Sequence, residues 1–278
     1  GIRAPIVVLG PALPEQAEAI IEHELSQTIS NREITNALEK AAKSRKTCAA
    51  VHLKIDTGMG RVGISPGEAM LFAHAIAESP HLYFEGISTH IAWERAEDMD
   101  KAHKQIDSFK TCLSEILNVP IRWRHAANSA MTLHLPNAHF DLVRIGLLTY
   151  GIPPLQGMGS LSISPALSLK ARITQIRDLM PGQTLSYGGT FTLTRPARIA
   201  LAPIGYADGY DRRFSKGIGK VLVNGKVAKV VGNVCMDMTM IDITTITAKE
   251  GDEVILFSNE LPVSELAKSI GTIPYEIL

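Results

Sequence analysis

Gly58-Met59-Gly60-Arg61-Val62-Gly63 has G-x-G-x-x-G spacing, between an apolar run ending at Ile55 and a helix start at Ser65-Pro66. Such a loop can set backbone N–H groups against a dinucleotide pyrophosphate, with an acid about 20 residues on for the ribose, where Glu85 stands. The helix start argues against that chemistry. In a dinucleotide site the helix begins within the glycines, so that its N-terminus meets the phosphates, whereas Ser65-Pro66 starts it after the last glycine. What remains is a loop at the C-terminal end of a strand that also carries Lys54 and Asp56. Charges in that position are where a barrel or open parallel sheet builds its site. Metal chemistry has no support. The nine histidines include no pair at i, i+4 spacing and no cysteine at ligand-like distance, and most of them are expected to be exposed or structural.

The elements around this loop read as repeated strand-then-helix units up to Pro153. The patterning predicts strands over 6–9, 49–55, 82–89, 122–127 and 141–145. Helices are expected after Asn31 (Ile34, Leu38, Ala41), after the Ser65–Glu68 capping box (Leu71, Phe72, Ala75, Ile76), over 96–117, and from Asn128-Ser129. Such alternation implies parallel strands with helical crossovers. After Pro153-Pro154 and a Gly/Ser-rich stretch to Ser164 the period changes to two, with Leu167, Leu169, Ala171 and Ile173 alternating with mostly polar residues. Asn224-Gly225 between apolar runs signals a hairpin with a type I′ turn. A strand over 254–257 and a helix over 262–270, ended by Gly271, follow. The expected fold class is α/β plus β: a partial (β/α)₈ barrel over 1–160, then a mainly antiparallel β domain over 161–278.

Composition narrows the function classes. The 278 residues carry 28 Lys+Arg against 28 Asp+Glu, so no general field favours nucleic acid or anionic lipid. Three cysteines without a Cys-x-x-Cys pair fit a reducing, cytoplasmic setting. No apolar run reaches the roughly 18 residues of a membrane span. The start lacks a signal peptide and an initiator Met, as expected of a chain cut from something longer.

Eight segments, in this order and spacing, closely resemble the alanine racemase family of fold type III pyridoxal-phosphate enzymes. They are His52–Gly63, Gly86-Ile87-Ser88-Thr89-His90, Ala127-Asn128-Ser129-Ala130, Val143-Arg144-Ile145-Gly146, Leu185–Thr190, Ile204–Tyr210, Val234–Met238 and Pro274-Tyr275-Glu276. The resemblance spans essentially the whole chain. It implies a (β/α)₈ barrel, a C-terminal β domain, and a head-to-tail homodimer with composite sites that interconverts L- and D-alanine for peptidoglycan. The family's cofactor-binding lysine segment has no counterpart here, and the chain is expected to lack both of the family's ends.

By the same resemblance, Tyr187 is the base on the L-alanine side, reaching the partner subunit's cofactor, with His90 beside it and linked onward to Arg144. Arg144 faces the pyridine nitrogen. Ser129, the backbone of Gly146 and Leu147, and Tyr275 hold the phosphate. Arg61 takes the substrate carboxylate, Tyr206 lies at the substrate entrance, and Met236 walls the side-chain pocket. Lys54 is expected as a carbamate that orients Arg61; unmodified, it would repel that arginine or pair with Asp56. Two alternatives stand beside this reading. One is a barrel that carries pyridoxal phosphate without catalysis, which Tyr187 and the β domain disfavour; the other is the dinucleotide enzyme above.

Overall fold

The computed structural model describes residues 3–93, 96–116, 118–154 and 163–278. The chain forms two compact units, Gly1–Leu148 with Pro153–Leu161, and Thr149–Ile152 with Ser162–Leu278. The Gly/Ser-rich stretch that suggests a boundary at residue 160 lies mostly outside the described residues, as does Leu117 of the third expected helix.

The first unit runs β1 (Val7–Val8), α1 (Ala17–Glu22), β2 (Ser26–Ile29), α2 (Arg32–Ser44), β3 (Ala49–Lys54), α3 (Ala69–Glu78), β4 (Leu82–Ser88), α4 (Met99–Glu115), β5 (Trp123–His125) and α5 (Ser129–His134). Its five strands are all parallel, in the order β1-β2-β3-β4-β5. Period-two alternation in β3 divides its side chains. Val51 and Leu53, with Ile55 beyond them, are fully buried in one core with Ile34 and Leu38 of α2 and Phe72 and Ile76 of α3. Each such side chain contributes about 1.5–3 kcal/mol by burial. His52 and Lys54 therefore point to the opposite face. The Asn31 carboxamide caps α2 by accepting from Ile34 N, a bond that stabilises the helix by about 1 kcal/mol.

The structure departs from the sequence reading in three places. β2 is missing from the sequence reading because three of its four residues, Ser26, Gln27 and Thr28, are polar, yet all are buried. Residues 141–145 form no strand; Asp141 instead accepts from Arg124 N, and Arg144 N donates to Ala127 O. On α3, Leu71 is exposed, while Ala69, Phe72, Ala73 and Ile76 form the buried face.

The second unit is antiparallel. Its strands are β6 (Leu169–Arg172), β7 (Gln175–Leu179), β8 (Thr184–Leu185), β9 (Phe191–Thr192), β10 (Ala197–Ala202), β11 (Lys220–Val223), β12 (Lys226–Val231), β13 (Thr239–Asp242) and β14 (Glu253–Phe257), followed by α6 (Val263–Ser269). Seven strands form one sheet, ordered β6-β14-β11-β12-β13-β10-β7, and β8 pairs with β9 apart from it. The β11–β12 turn has φ +50° at Asn224 and +72° at Gly225, with Val223 opposite Lys226. That is the type I′ geometry the dipeptide predicts.

Candidate active site

The Gly-rich loop follows β3 and folds back on it. Ile64 N donates to Lys54 O and Asp56 N to Ile64 O, each at 2.9 Å. Gly58, Gly60 and Gly63 all have positive φ, and a Cβ on Gly63 would lie 2.4 Å from Asp56 N. The glycines therefore serve loop closure. Inside the loop, Asp56 Oδ1 accepts from Gly58, Met59 and Gly60 N, and Oδ2 from Arg61 N, at 2.8–3.1 Å. Burial opposes it, yet these backbone donors hold the Asp56 carboxyl below the usual range. Its carboxylate is thus spent on the backbone, and among the described residues no carboxylate lies within 4.0 Å of the Lys54 ammonium.

Arg144 lies on the segment after α5 and reaches back to the strand ends. Nη1 donates to His125 Nδ1 at 2.6 Å; Nη2 donates to Thr89 O at 2.7 Å and to Ala126 O at 3.1 Å, with His90 Nδ1 at 3.5 Å. All of these partners are neutral acceptors. Burial brings the Arg144 guanidinium down to about 10, so it remains a cation at neutral pH. Burial, then the charges of Lys54, Arg144 and Arg61, hold His90 down to about 4. Burial, then Arg144 and Arg61, bring Lys54 down to about 7, against the opposing pull of Asp56. Among the described residues the cluster is a field of positive charge without a close carboxylate, suited to an anionic ligand with acceptor atoms.

α5 borders this field. Asn128 Oδ1 caps it by accepting from Met131 N, and Ser129 Oγ accepts from Gly146 N at 2.8 Å. Ser129 is buried, and among the described residues its own hydroxyl proton is donated to no acceptor. That spare donor, beside the cations, fits a phosphate group. Leu147, at the start of the turn Leu147–Tyr150, is buried nearby in sequence.

In the second unit, Tyr187 follows Ser186, whose φ of +65° is rare for a non-glycine residue. Asn233 Nδ2 donates to Tyr187 O at 3.1 Å, and Ser186 Oγ donates to Asn233 O at 3.1 Å. The turn leaves Tyr187 78% exposed. Tyr187 and Tyr206 line one groove of about 440 Å³ with Cys235. Tyr206 N donates to Cys235 O and Ala207 N to Met236 O. A Cβ on Gly205 would lie 2.2 Å from Cys235 O, which explains why the approach of the two segments needs glycine. Met236 and Tyr275 are both exposed.

Thus Lys54, His90, Ser129, Arg144 and Gly146 come together in the first unit, with Arg61 contributing to the same field. Tyr187, Tyr206 and Met236 come together in the second. Sequence reasoning missed His125, His52 and Glu85. The sequence reading gave His125 and His52 no individual role, and Glu85 entered only as the acid of a dinucleotide site. All three are buried, and His125 Nε2 lies 2.9 Å from His52 Nδ1. The available signal was a titratable residue inside an otherwise apolar strand run, since a buried polar group needs a partner.

A parallel α/β sheet with charged groups at its strand ends, followed by an antiparallel domain carrying exposed tyrosines, defines a two-unit barrel-type enzyme. Comparison with known proteins gives the family. Residues 1–154 match the model of the alanine racemase N-terminal domain, and residues 166–278 that of the C-terminal domain. The alanine racemase of Desulfovibrio desulfuricans is 38% identical over 283 residues, covering 100% of this chain and 76% of the relative. That of Desulforamulus reducens is 40% identical, over 100% of this chain and 77% of the relative. The solved alanine racemase of Clostridium difficile 630 superposes with a TM-score of 0.95 at 36% identity, over 100% of this chain and 74% of that one. The Bacillus anthracis alanine racemase, solved with bound L-Ala-P, gives 0.90 at 33% identity, over 99% and 73% of the two chains. The chain belongs to the alanine racemase family.

Proposed function

We propose that the protein interconverts L- and D-alanine with pyridoxal 5′-phosphate, supplying D-alanine for peptidoglycan in the cytoplasm. The observation that carries this reading is Arg144, a half-buried cation whose hydrogen-bond partners among the described residues are all neutral. An arginine only donates and keeps its proton, so it suits a ring nitrogen that must remain an acceptor. Pyridoxal phosphate, when bound, supplies the electron sink that makes the alanine Cα–H acidic enough for a side-chain base.

Ser129, the backbone of Gly146 and Leu147, and Tyr275 hold the phosphate in this reading. Arg61 receives the substrate carboxylate as a charge-assisted partner. Lys54, with a pKa of about 7, is available as the neutral amine that adds CO₂. Its nitrogen bonds the carbon and releases a proton, and the carbamate then orients Arg61. Tyr187 exchanges the proton on the L face, and a second base serves the opposite face. The exposure of Tyr187, Tyr206, Met236 and Tyr275 supports a head-to-tail homodimer in which the second unit of one copy covers the first unit of another. Tyr206 then borders the entrance, and Met236 walls the small side-chain pocket.

The test is racemisation by the full-length protein with and without Tyr187→Phe. The variant keeps the ring, and racemisation is expected to fall at least about 10²-fold. Cα-proton exchange with L-alanine should suffer more than with D-alanine. Equal loss for both enantiomers with cofactor bound, or normal racemisation, removes Tyr187 from this role.

A further inference from the structure

We propose that Glu85 is the remote counter-charge and positioning group of Arg144, acting through His52 and His125. This rests on the reading above only for what Arg144 faces. The hydrogen-bond order within the chain of residues stands on geometry alone.

A guanidinium has donors and no acceptors, so the contact between Arg144 Nη1 and His125 Nδ1 requires that nitrogen to be bare. The proton of a neutral His125 must then sit on Nε2, from which it is donated to His52 Nδ1 at 2.9 Å. His52 is in turn fixed with its proton on Nε2, which faces Glu85 Oε2 at 3.2 Å. The same carboxylate oxygen accepts from the Ser26 hydroxyl. Every donor thus points from the arginine toward the carboxylate. Reversing any one bond would set two donors or two acceptors face to face, so the two ends impose one tautomer on both imidazoles. Burial, and for His125 the adjacent Arg144, keep both rings neutral.

The backbone is shaped for this chain. β3 and β4 shift register between Val51 and His52, so that Phe84 and Gly86 pair across while Glu85 is the extra residue. Such a bulge re-aims a side chain. At Gly86 a Cβ would lie 2.2 Å from His52 Nδ1, so only glycine admits the ring there. His52 and His125 meet edge to face, with centroids 5.1 Å apart. A carboxylate placed directly on Arg144 would neutralise the cation where a ligand needs it. Two neutral rings let Glu85 balance the charge and fix the guanidinium plane from the far side.

The first measurement uses protein labelled at histidine, without cofactor. Both rings should show the neutral Nε2–H tautomer from pH 6 to 8, with scalar coupling from His125 Nε2 to His52 Nδ1 across the bond. An Nδ1–H tautomer at either ring, or a doubly protonated ring at pH 7, overturns the proposal. The second uses Glu85→Gln, which keeps an acceptor oxygen and removes the charge. The Nε2–H resonance of His52 and the guanidinium nitrogens of Arg144 should both shift. In loaded enzyme kcat should fall about tenfold, the difference between a charge-assisted and a neutral hydrogen bond, with KM for alanine nearly unchanged. Glu85→Asp should recover part of the loss. Unmoved Arg144 resonances in Glu85→Gln overturn the proposal even if the enzyme racemises alanine. Ordered tautomers in a protein that neither binds the cofactor nor racemises would sink the functional reading and leave this one standing.

Discussion

Acidification should destabilise the first unit through its buried imidazoles. His90 and His125 are held down to about 4 and about 2, burial being the largest cause at both, and His52 is lowered for the same reason. In the unfolded chain each titrates near 6.5 (roughly). Between that value and the folded one the unfolded state binds more protons, so stability falls as pH falls. From pH 7 to 5 one such histidine costs about 1.8 kcal/mol, so His90 and His125 together cost about 3.7 kcal/mol, and His52 acts in the same direction. Asp56 is lowered from an already acidic range, so its linkage acts mainly below this window. Lys54, lowered to about 7, adds a slope of the same sign from there up toward its ordinary value. The chain's two tryptophans, Trp93 and Trp123, both lie in the first unit. Denaturant unfolding of cofactor-free protein, followed by tryptophan emission at pH 7, 6 and 5, therefore reads the unit that carries the histidines. His90→Asn should reduce the slope near pH 5.5 by about 1.2 kcal/mol per pH unit. Equal stability at pH 7 and 5 would show that the rings take up protons in the fold, and would refute the reasoning.

Two further outcomes follow from the geometry. Full-length protein in ¹³C-bicarbonate at pH 8 should give a carbamate carbon signal that disappears in Lys54→Ala; its absence in the unsubstituted protein would leave Lys54 a plain amine. Gly205→Ala would set a Cβ 2.2 Å from Cys235 O and 2.5 Å from Met236 O, where no side chain can yield. A loss of at least about 3 kcal/mol is expected by circular dichroism, and an unchanged midpoint would mean that the two segments separate easily.

Much of the scaffold was legible because its signals are local. Asn31, the Ser65–Glu68 pair and Asn224-Gly225 each carry their instruction within four residues, and the structure shows a cap, a capping box and a type I′ turn there. β2 was hidden because Ser26, Gln27 and Thr28 read as surface, and their burial depends on partners far along the chain, such as Glu85 for Ser26. Residues 141–145 read as strand by composition, but Asp141 and Arg144 are drawn to Arg124, His125 and the carbonyls of β-strand ends. The site residues themselves were found through resemblance to a family. Arg144 and Tyr187 have no distinctive spacing, and what sets them apart is a set of side-chain contacts 18 to 55 residues away for one and a strained turn before the other. The His52–His125 contact spans 73 residues and leaves no periodic trace.

Two carboxylates near the cationic cluster explain why it persists as a cluster. Asp56 and Glu85 both lie on β3–β4 segments that also carry Lys54 and His90, and either could have formed a direct ion pair. Asp56 is instead occupied by four backbone amides, which tie it to the loop. Glu85 is occupied by His52 and Ser26, and meets Arg144 only through two rings. A direct pair in a buried setting would give up the field that an anionic ligand needs, whereas unpaired cations in such a setting would be costly. The fold divides the difference. Arg144 keeps its charge with a distant counter-charge, and Lys54 relieves the crowding by losing its proton near neutral pH. A second carboxylate introduced beside Arg144 would stabilise the cofactor-free protein while weakening its hold on an anion. The arrangement of charges favours holding an anion over stability of the empty site.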